Sequence, residues 1–170
     1  MMLGRGLLAA AIAAALDQLS KLALLSYFHE TGCTRRHESV TPFFDLVLTC
    51  NQGVSFGLFD RTGLSALVFA VVAALVVLLL IVWLIRIRTT FLAVAIGLII
   101  GGAIGNVVDR LLPSRGGVID FLSFHAGAWY WPAFNLADSA ICLGVAAMLL
   151  DGLLLRRAAP PAKGGEDLRS

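Results

Sequence analysis

The run LSALVFAVVAALVVLLLIVWL, Leu64 to Leu84, contains no charged residue. A helix needs about 20 predominantly apolar residues to cross the hydrocarbon core of a bilayer. This run has that length and carries nothing that must stay in water. Across the 170 residues, 59% are hydrophobic and 14% charged, and the mean hydropathy is +0.89. An ordinary soluble domain is about a quarter charged. The bilayer is therefore the expected solvent of this chain.

Two more runs fit a spanning helix: Phe91 to Val108, with Asn106 near its end, and Leu136 to Leu155, with Asp138 and Asp151 near its ends. The first segment, MMLGRGLLAAAIAAAL, has two readings. One Arg, a short apolar run and small residues match a secretory signal peptide. However, the apolar pattern resumes after Asp17 as LSKLALL, which extends the run from Gly6 to Leu25. Asp17 and Lys21 then share one helical face, with the acid N-terminal to the base. An interior-facing pair of this kind is how membrane helices carry charge, so an uncleaved first helix is favoured.

The expectation is an α-helical integral membrane protein with four transmembrane helices, at about residues 6–25, 64–84, 91–108 and 136–155. Residues 1–157 read as one polytopic domain, and the Pro/Gly-rich residues 158–170 as a disordered cytoplasmic tail. Arg5, Arg86, Arg88, Arg156 and Arg157 cluster at one set of helix ends. By the positive-inside rule those ends, and both termini, face the cytoplasm. The other side receives two longer segments. FFDLVLTCNQGVSFGLF, Phe43 to Phe59, alternates like a strand or hairpin, and Trp129 to Trp131 fit an aromatic belt at the membrane boundary.

Polar residues gather on that second side. Asp17, Lys21, Asn51, Asn106, Asp109, Arg110, Asp120, Asn135 and Asp138 all fall at those helix ends or in the adjoining loops. Intramembrane ionisable groups usually face a bundle interior or a wet cavity, so convergence at one depth describes a site. A transporter path would need polar groups through both halves of the membrane, and here they stop at one face. The third possibility is an assembly factor whose acids only cap helices.

The acids differ in setting. Asp109 beside Arg110 reads either as an ion pair at the membrane edge or as part of the site; Asp45 and Asp60 read as loop acids, and Asp151 as a solvated end. Asp120 sits among Val118, Ile119, Phe121 and Leu122 after two glycines, and apolar surroundings raise a carboxyl pKa. Asp138 lies third in a helix that Asn135 would cap, in NLAD, a sequence resembling a capping box. The helix N-terminus favours its ionised form. Two carboxyls in unlike environments are what acid–base hydrolysis of an amide requires. A serine route is less attractive, because no GxSxG setting occurs and Ser20 and Lys21, adjacent on a helix, point apart.

Other chemistries find little support. A net charge of +2 without a basic, aromatic-interleaved stripe excludes nucleic acid as an expected partner. His29, His37 and His125 lack metal-site spacing, and Cys33, Cys50 and Cys142 show no CxxC. Cys33 and Cys50 can pair if their segment faces an oxidising compartment, but an odd count of three cysteines argues against a disulfide framework.

In order along the chain stand DQLSK (17–21), NQGVSFG (51–57), GGAIGNVVDR (101–110), GGVIDF (116–121) and FNLADSAI (134–141). Together, on a four-helix hydropathy pattern, they resemble lipoprotein signal peptidase (signal peptidase II), a family of bacterial membrane aspartyl proteases. The resemblance implies four transmembrane helices, cytoplasmic termini and a small extracytoplasmic β-rich element over the site. It places the catalytic acids at Asp120 and Asp138. Asp17, Lys21, Asn51, Gly53, Asn106, Arg110 and Asn135 would support the site or bind substrate. It further implies no metal or cofactor, a monomer in the bacterial inner membrane, and contact with membrane lipid. The reaction would be cleavage of diacylglyceryl-modified prolipoproteins on the amino side of the lipidated cysteine.

Overall fold

The computed structural model describes residues 2–32, 34–51 and 64–158. Four helices in it are long and apolar enough to cross a membrane: α1 (Met2–Tyr27), α2 (Leu64–Leu84), α3 (Thr90–Leu111) and α4 (Leu136–Ala158). Each contains the run expected of it, and α1 is unbroken through Asp17 and Lys21. Between the helices lie β1 (Arg36–Thr41), β2 (Phe44–Asn51), β3 (Val118–Ala126) and β4 (Trp129–Tyr130). They form one antiparallel sheet in the order β1-β2-β3-β4. The strand-like pattern over Phe43 to Phe59 is thus realised up to Asn51, and its remainder, with Gly53, lies outside the described residues. The strand β1 had no clear signal, because its residues are polar and its face is solvated.

α3 is the centre of the bundle. Half of its span is buried, against 11% for α2, and it packs on α1, α4 and α2. Lipid tails are as apolar as leucine, so membrane helices associate by close backbone packing at small residues. Gly101 and Gly102 do this on opposite sides: a Cβ at Gly101 would lie 2.4 Å from the Ala10 carbonyl oxygen of α1, and one at Gly102 2.4 Å from that of Ala137 on α4. The outward faces stay apolar, as at Leu8, Leu19, Leu79 and Leu143, which suits a lipid surround. In the half of the bundle away from the sheet, Ala10, Leu84, Ala93, Ile96 and Ile100 form a closed apolar core.

The sheet is fastened to the bundle in two ways. Leu24 and Leu25 of α1 pack against Leu48, Ile119 and Phe121. The segment leading into α4 also pairs with β3: the Phe121 and Leu122 N–H groups donate to the Phe134 carbonyl at 3.0 and 2.8 Å, and the Phe134 N–H donates back to Leu122 at 3.0 Å. This fixes the start of α4 relative to β3.

Asp45 is a strand residue, not a loop acid. Its side chain is fully covered on β2. It accepts a hydrogen bond from Ser39 Oγ at 2.8 Å, lies 2.9 Å from His37 Nε2, and sits 3.4 Å from His125 Nε2. One carboxylate therefore ties β1 to β2 and β3. The His37 hydrogen bond lowers its pKa, burial opposes, and Ser39 and the charge of His125 add to the lowering. That support is present above the ordinary carboxylate range and is lost as pH falls through the lowered folded value. Asp45→Asn is expected to speed amide hydrogen exchange in β1 on the order of tenfold, the loss of one charge-assisted bond, and to leave exchange in α3 unchanged.

Candidate active site

At the sheet-bearing end of the bundle, α1, α3, β3 and the start of α4 bring together residues far apart in sequence. Asp17, Lys21, Asp109 and Asn135 are fully buried, and Asn106 and Asp120 nearly so. Burying this many polar groups is tolerable only if each is paired.

The reciprocal cap expected at α4 forms. The Asp138 N–H donates to Asn135 Oδ1 at 3.0 Å, and the Asn135 N–H donates to Asp138 Oδ2 at 3.2 Å. Asn135 does more than cap: its Nδ2 donates to Asp120 Oδ1 at 2.7 Å and to the Ile119 carbonyl at 3.2 Å. One side chain thus holds both candidate acids. Asn106 completes the bridge, donating from Nδ2 to Asp138 Oδ1 at 2.8 Å and accepting at Oδ1 from Asn135 Nδ2 at 3.1 Å and Lys21 Nζ at 3.3 Å. Its amide orientation follows from these partners, since Oδ1 faces only donors and Nδ2 faces a carboxylate.

Behind the acids lies a charged cluster. Lys21 Nζ is 2.7 Å from Asp17 Oδ2 and 2.7 Å from Asp109 Oδ2. Gln18 Nε2 reaches both carboxylates at 3.2 Å, and Arg115 stands 3.8 Å from Asp109. Asp17 can approach because Gly105 faces it; a Cβ there would lie 2.5 Å from Asp17 Oδ2.

Asp109 is therefore not paired with Arg110 at a membrane edge. Neighbouring helical residues face different directions, and here Asp109 points to α1 while Arg110 points to α2. Arg110 donates to the Asn106 carbonyl at 3.0 Å, and its guanidinium lies over the Phe69 ring, 5.6 Å from the centroid. It remains within electrostatic reach of Asp138 and Asp120. Asn106, expected as substrate-binding or supporting, spends its amide on Asp138, Asn135 and Lys21. Asn51 ends β2, and its side chain hydrogen-bonds Asp120.

Asp120 stands on β3, outside the membrane-spanning helices. Burial raises its pKa, the Asp138 charge raises it further, and hydrogen bonds from Asn51 and Asn135 and the Lys21 charge oppose, leaving it pushed up to about 6. Asp138 instead sits in the first turn of α4. Asn135 thus contacts both carboxyls, Asp120 through its side-chain amide and Asp138 through its main-chain N–H. Among the described residues, no group of three or more His, Cys, Asp or Glu has metal-holding geometry. Cys50, beside Asn51, is disulfide-bonded, and Cys142 on α4 is free and exposed; Cys33 lies outside the described residues.

Residues 9–154 match the family described as signal peptidase (SPase) II. The chain belongs to the signal peptidase II family. It is 44% identical over 158 residues to the lipoprotein signal peptidase of Methylorubrum extorquens strain PA1, covering 92% of this chain and 88% of the relative. It is 45% identical over 161 residues to that of Nitrobacter hamburgensis, covering 91% and 94%. Among solved structures, one titled as a bacterial membrane enzyme at 1.9 Å resolution superposes with a TM-score of 0.74 at 26% identity, over 88% of this chain and 93% of that one. Another, titled in the same way at 2.3 Å, superposes at 0.70 over 98% and 95%; at 24% identity it shows the shared fold. Membership in signal peptidase II makes the chain a membrane protease. The aligned region covers α3, β3 and most of α1 and α4, and so includes every polar residue of the cluster.

Proposed function

We propose that this signal peptidase II is an aspartyl endopeptidase. It removes signal peptides from diacylglyceryl-modified prolipoproteins by cutting on the amino side of the lipidated cysteine. The observation that carries this reading is the bridge through Asn135, which holds Asp120 and Asp138 at one site. The relatives named lipoprotein signal peptidase support the substrate class.

In the reaction, ionised Asp138 takes a proton from a water molecule as its oxygen attacks the scissile carbonyl carbon. Protonated Asp120 gives its proton to the carbonyl oxygen, forming a tetrahedral diol. On collapse, Asp138 returns its proton to the departing nitrogen as the C–N bond breaks, and one diol hydroxyl gives its proton back to Asp120. Atoms and charge balance, with one water consumed per bond. The two acids form a coupled pair, so the labels of acid and base belong to the pair. Asn51 and Arg110 are the side chains best placed to meet the substrate backbone, whereas Asp17, Lys21, Asn106 and Asn135 support the acids.

The same reading places residues 1–157 in the bacterial inner membrane as one monomeric multi-pass domain. Both termini are cytoplasmic, and the sheet and site face outward. The Arg clusters support this orientation, as does the disulfide at Cys50, since disulfides persist in oxidising compartments. The apolar outer faces of the helices suit an acyl-chain anchor and an apolar signal helix, which bring the scissile bond to the polar end. Incubating the purified protein with a lipidated proprotein and with its unlipidated form tests the proposal. The expected result is cleavage of the lipidated form alone; equal cleavage of both would remove the lipid requirement, and cleavage of neither would remove the function.

A further inference from the structure

The buried charges behind the acids have more specific contacts than mutual neutralisation requires. Asp17 Oδ1 accepts the main-chain N–H of Ala137 at 2.9 Å, and Ala137 immediately precedes Asp138. Asp109 Oδ2 accepts the main-chain N–H of Ile119 at 3.2 Å, and Ile119 immediately precedes Asp120. The two gripping carboxylates are joined by the single ammonium of Lys21, 2.7 Å from each. All three side chains are fully buried. A buried ion pair is by itself a weak source of stability, because desolvation offsets much of the attraction. A triad whose outer members each hold the backbone one residue before a reactive acid has a geometric use.

We infer that Asp17, Lys21 and Asp109 form a yoke that sets the spacing of the two catalytic carboxyls by gripping α4 at Ala137 and β3 at Ile119. The inference rests on the aspartyl-protease reading above and adds Asp109 as a positioning residue; none of the three touches the reacting atoms. Lys21 fixes the distance between the grips, and α1, which carries both Asp17 and Lys21, is the rigid bar. Gln18 steadies it, donating to both carboxylates at 3.2 Å and to the Gly105 carbonyl at 3.0 Å. Asn106 and Asn135 then transmit the spacing to the carboxyl oxygens themselves.

Asp109→Glu tests the yoke, since it keeps the charge and lengthens one arm by about 1.5 Å, one carbon–carbon bond. A misplacement of about 1 Å can reduce turnover roughly 100-fold. The expected result, per folded molecule and with a lipidated proprotein as substrate, is a kcat about 100-fold lower with KM within about twofold of wild type. The pH profile provides a readout that a purely structural role would not move. Asp120 faces Asp138, Lys21, Asn51 and Asn135, with Asp109 and Arg110 beyond, and the Asp138 charge raises its pKa. Moving β3 away from α4 weakens that contribution, so the alkaline limb of kcat/KM should shift to lower pH. Asp17→Glu, which lengthens the other arm, should do the same, and it provides the readings if the Asp109 variant does not fold. A folded variant with a lower melting temperature but wild-type kcat and pH limb would overturn the yoke. Wild-type protein that leaves the lipidated proprotein uncut would instead overturn the functional reading, so the two failures are distinguishable.

Discussion

Asp120→Asn and Asp138→Asn are each expected to reduce kcat by at least the 10²–10⁴-fold typical of a lost general acid or base, while the protein remains folded and inserted. Asparagine at 138 can still accept the Asn135 N–H with its one oxygen, so the cap of α4 survives while the charge and the hydrogen bond from Asn106 are lost. If Asp138 only capped the helix, this variant would be nearly fully active. The measurement is turnover of a lipidated proprotein in detergent or proteoliposomes, alongside a melting curve. Substantial turnover by either folded variant would sink the assignment of that acid.

The wild-type pH profile belongs to the same prediction. Burial and the Asp138 charge push the Asp120 carboxyl up to about 6, and the proposed reaction needs it protonated. In the free enzyme, kcat/KM should therefore fall as pH rises through about 6. The sign for stability is the same. A carboxyl whose folded pKa is raised contributes stability that is present below its unfolded value and lost as pH rises through the folded one. Asp120→Asn should remove that part of the pH dependence of melting.

Lys21→Met should have the largest effect on the fold. Lys21 is the shared partner of Asp17 and Asp109, and all three are shielded from solvent. Removing one partner of a buried ion pair costs about 3–5 kcal/mol, because a charge is left buried without compensation. Here two carboxylates lose the ammonium between them, although Arg115 remains 3.8 Å from Asp109. The expected outcome is a large drop in melting temperature or poor accumulation in the membrane. Adding Asp17→Asn and Asp109→Asn to Lys21→Met should recover part of the stability by removing the uncompensated charges. It should not recover turnover, because neutral side chains grip Ala137 and Ile119 less firmly. Full stability in Lys21→Met alone would mean the triad is solvated in the membrane-embedded protein.

Local features were legible in the chain itself. The four spans follow from runs of apolar residues long enough to cross a bilayer; the structure extends α1, α3 and α4 by a few residues and leaves α2 at the bounds of its run. The capping box at Asn135 and Asp138 and the shared face of Asp17 and Lys21 follow from helical spacing of three and four residues. Asp45 and Asp109 were less legible. Asp45 carries no local mark of burial, since its partners His37, Ser39 and His125 come from three strands. The Arg beside Asp109 suggested a pair, and adjacency along a helix is the wrong spacing for one. A better signal was available: Asp109 lies three residues after Asn106 and four after Gly105, which puts it on the helix face that packs against α1.

By itself, then, the sequence determined the solvent of this protein, its spanning helices and the residues that start α4, because hydropathy, capping and i,i+4 pairing act between near neighbours. Tertiary structure alone decided which main-chain N–H each buried carboxylate holds. The bond from Asp17 to Ala137 joins residues 120 apart, and it exists only because Gly101, Gly102 and Gly105 let α1 and α4 close on α3 at backbone distance.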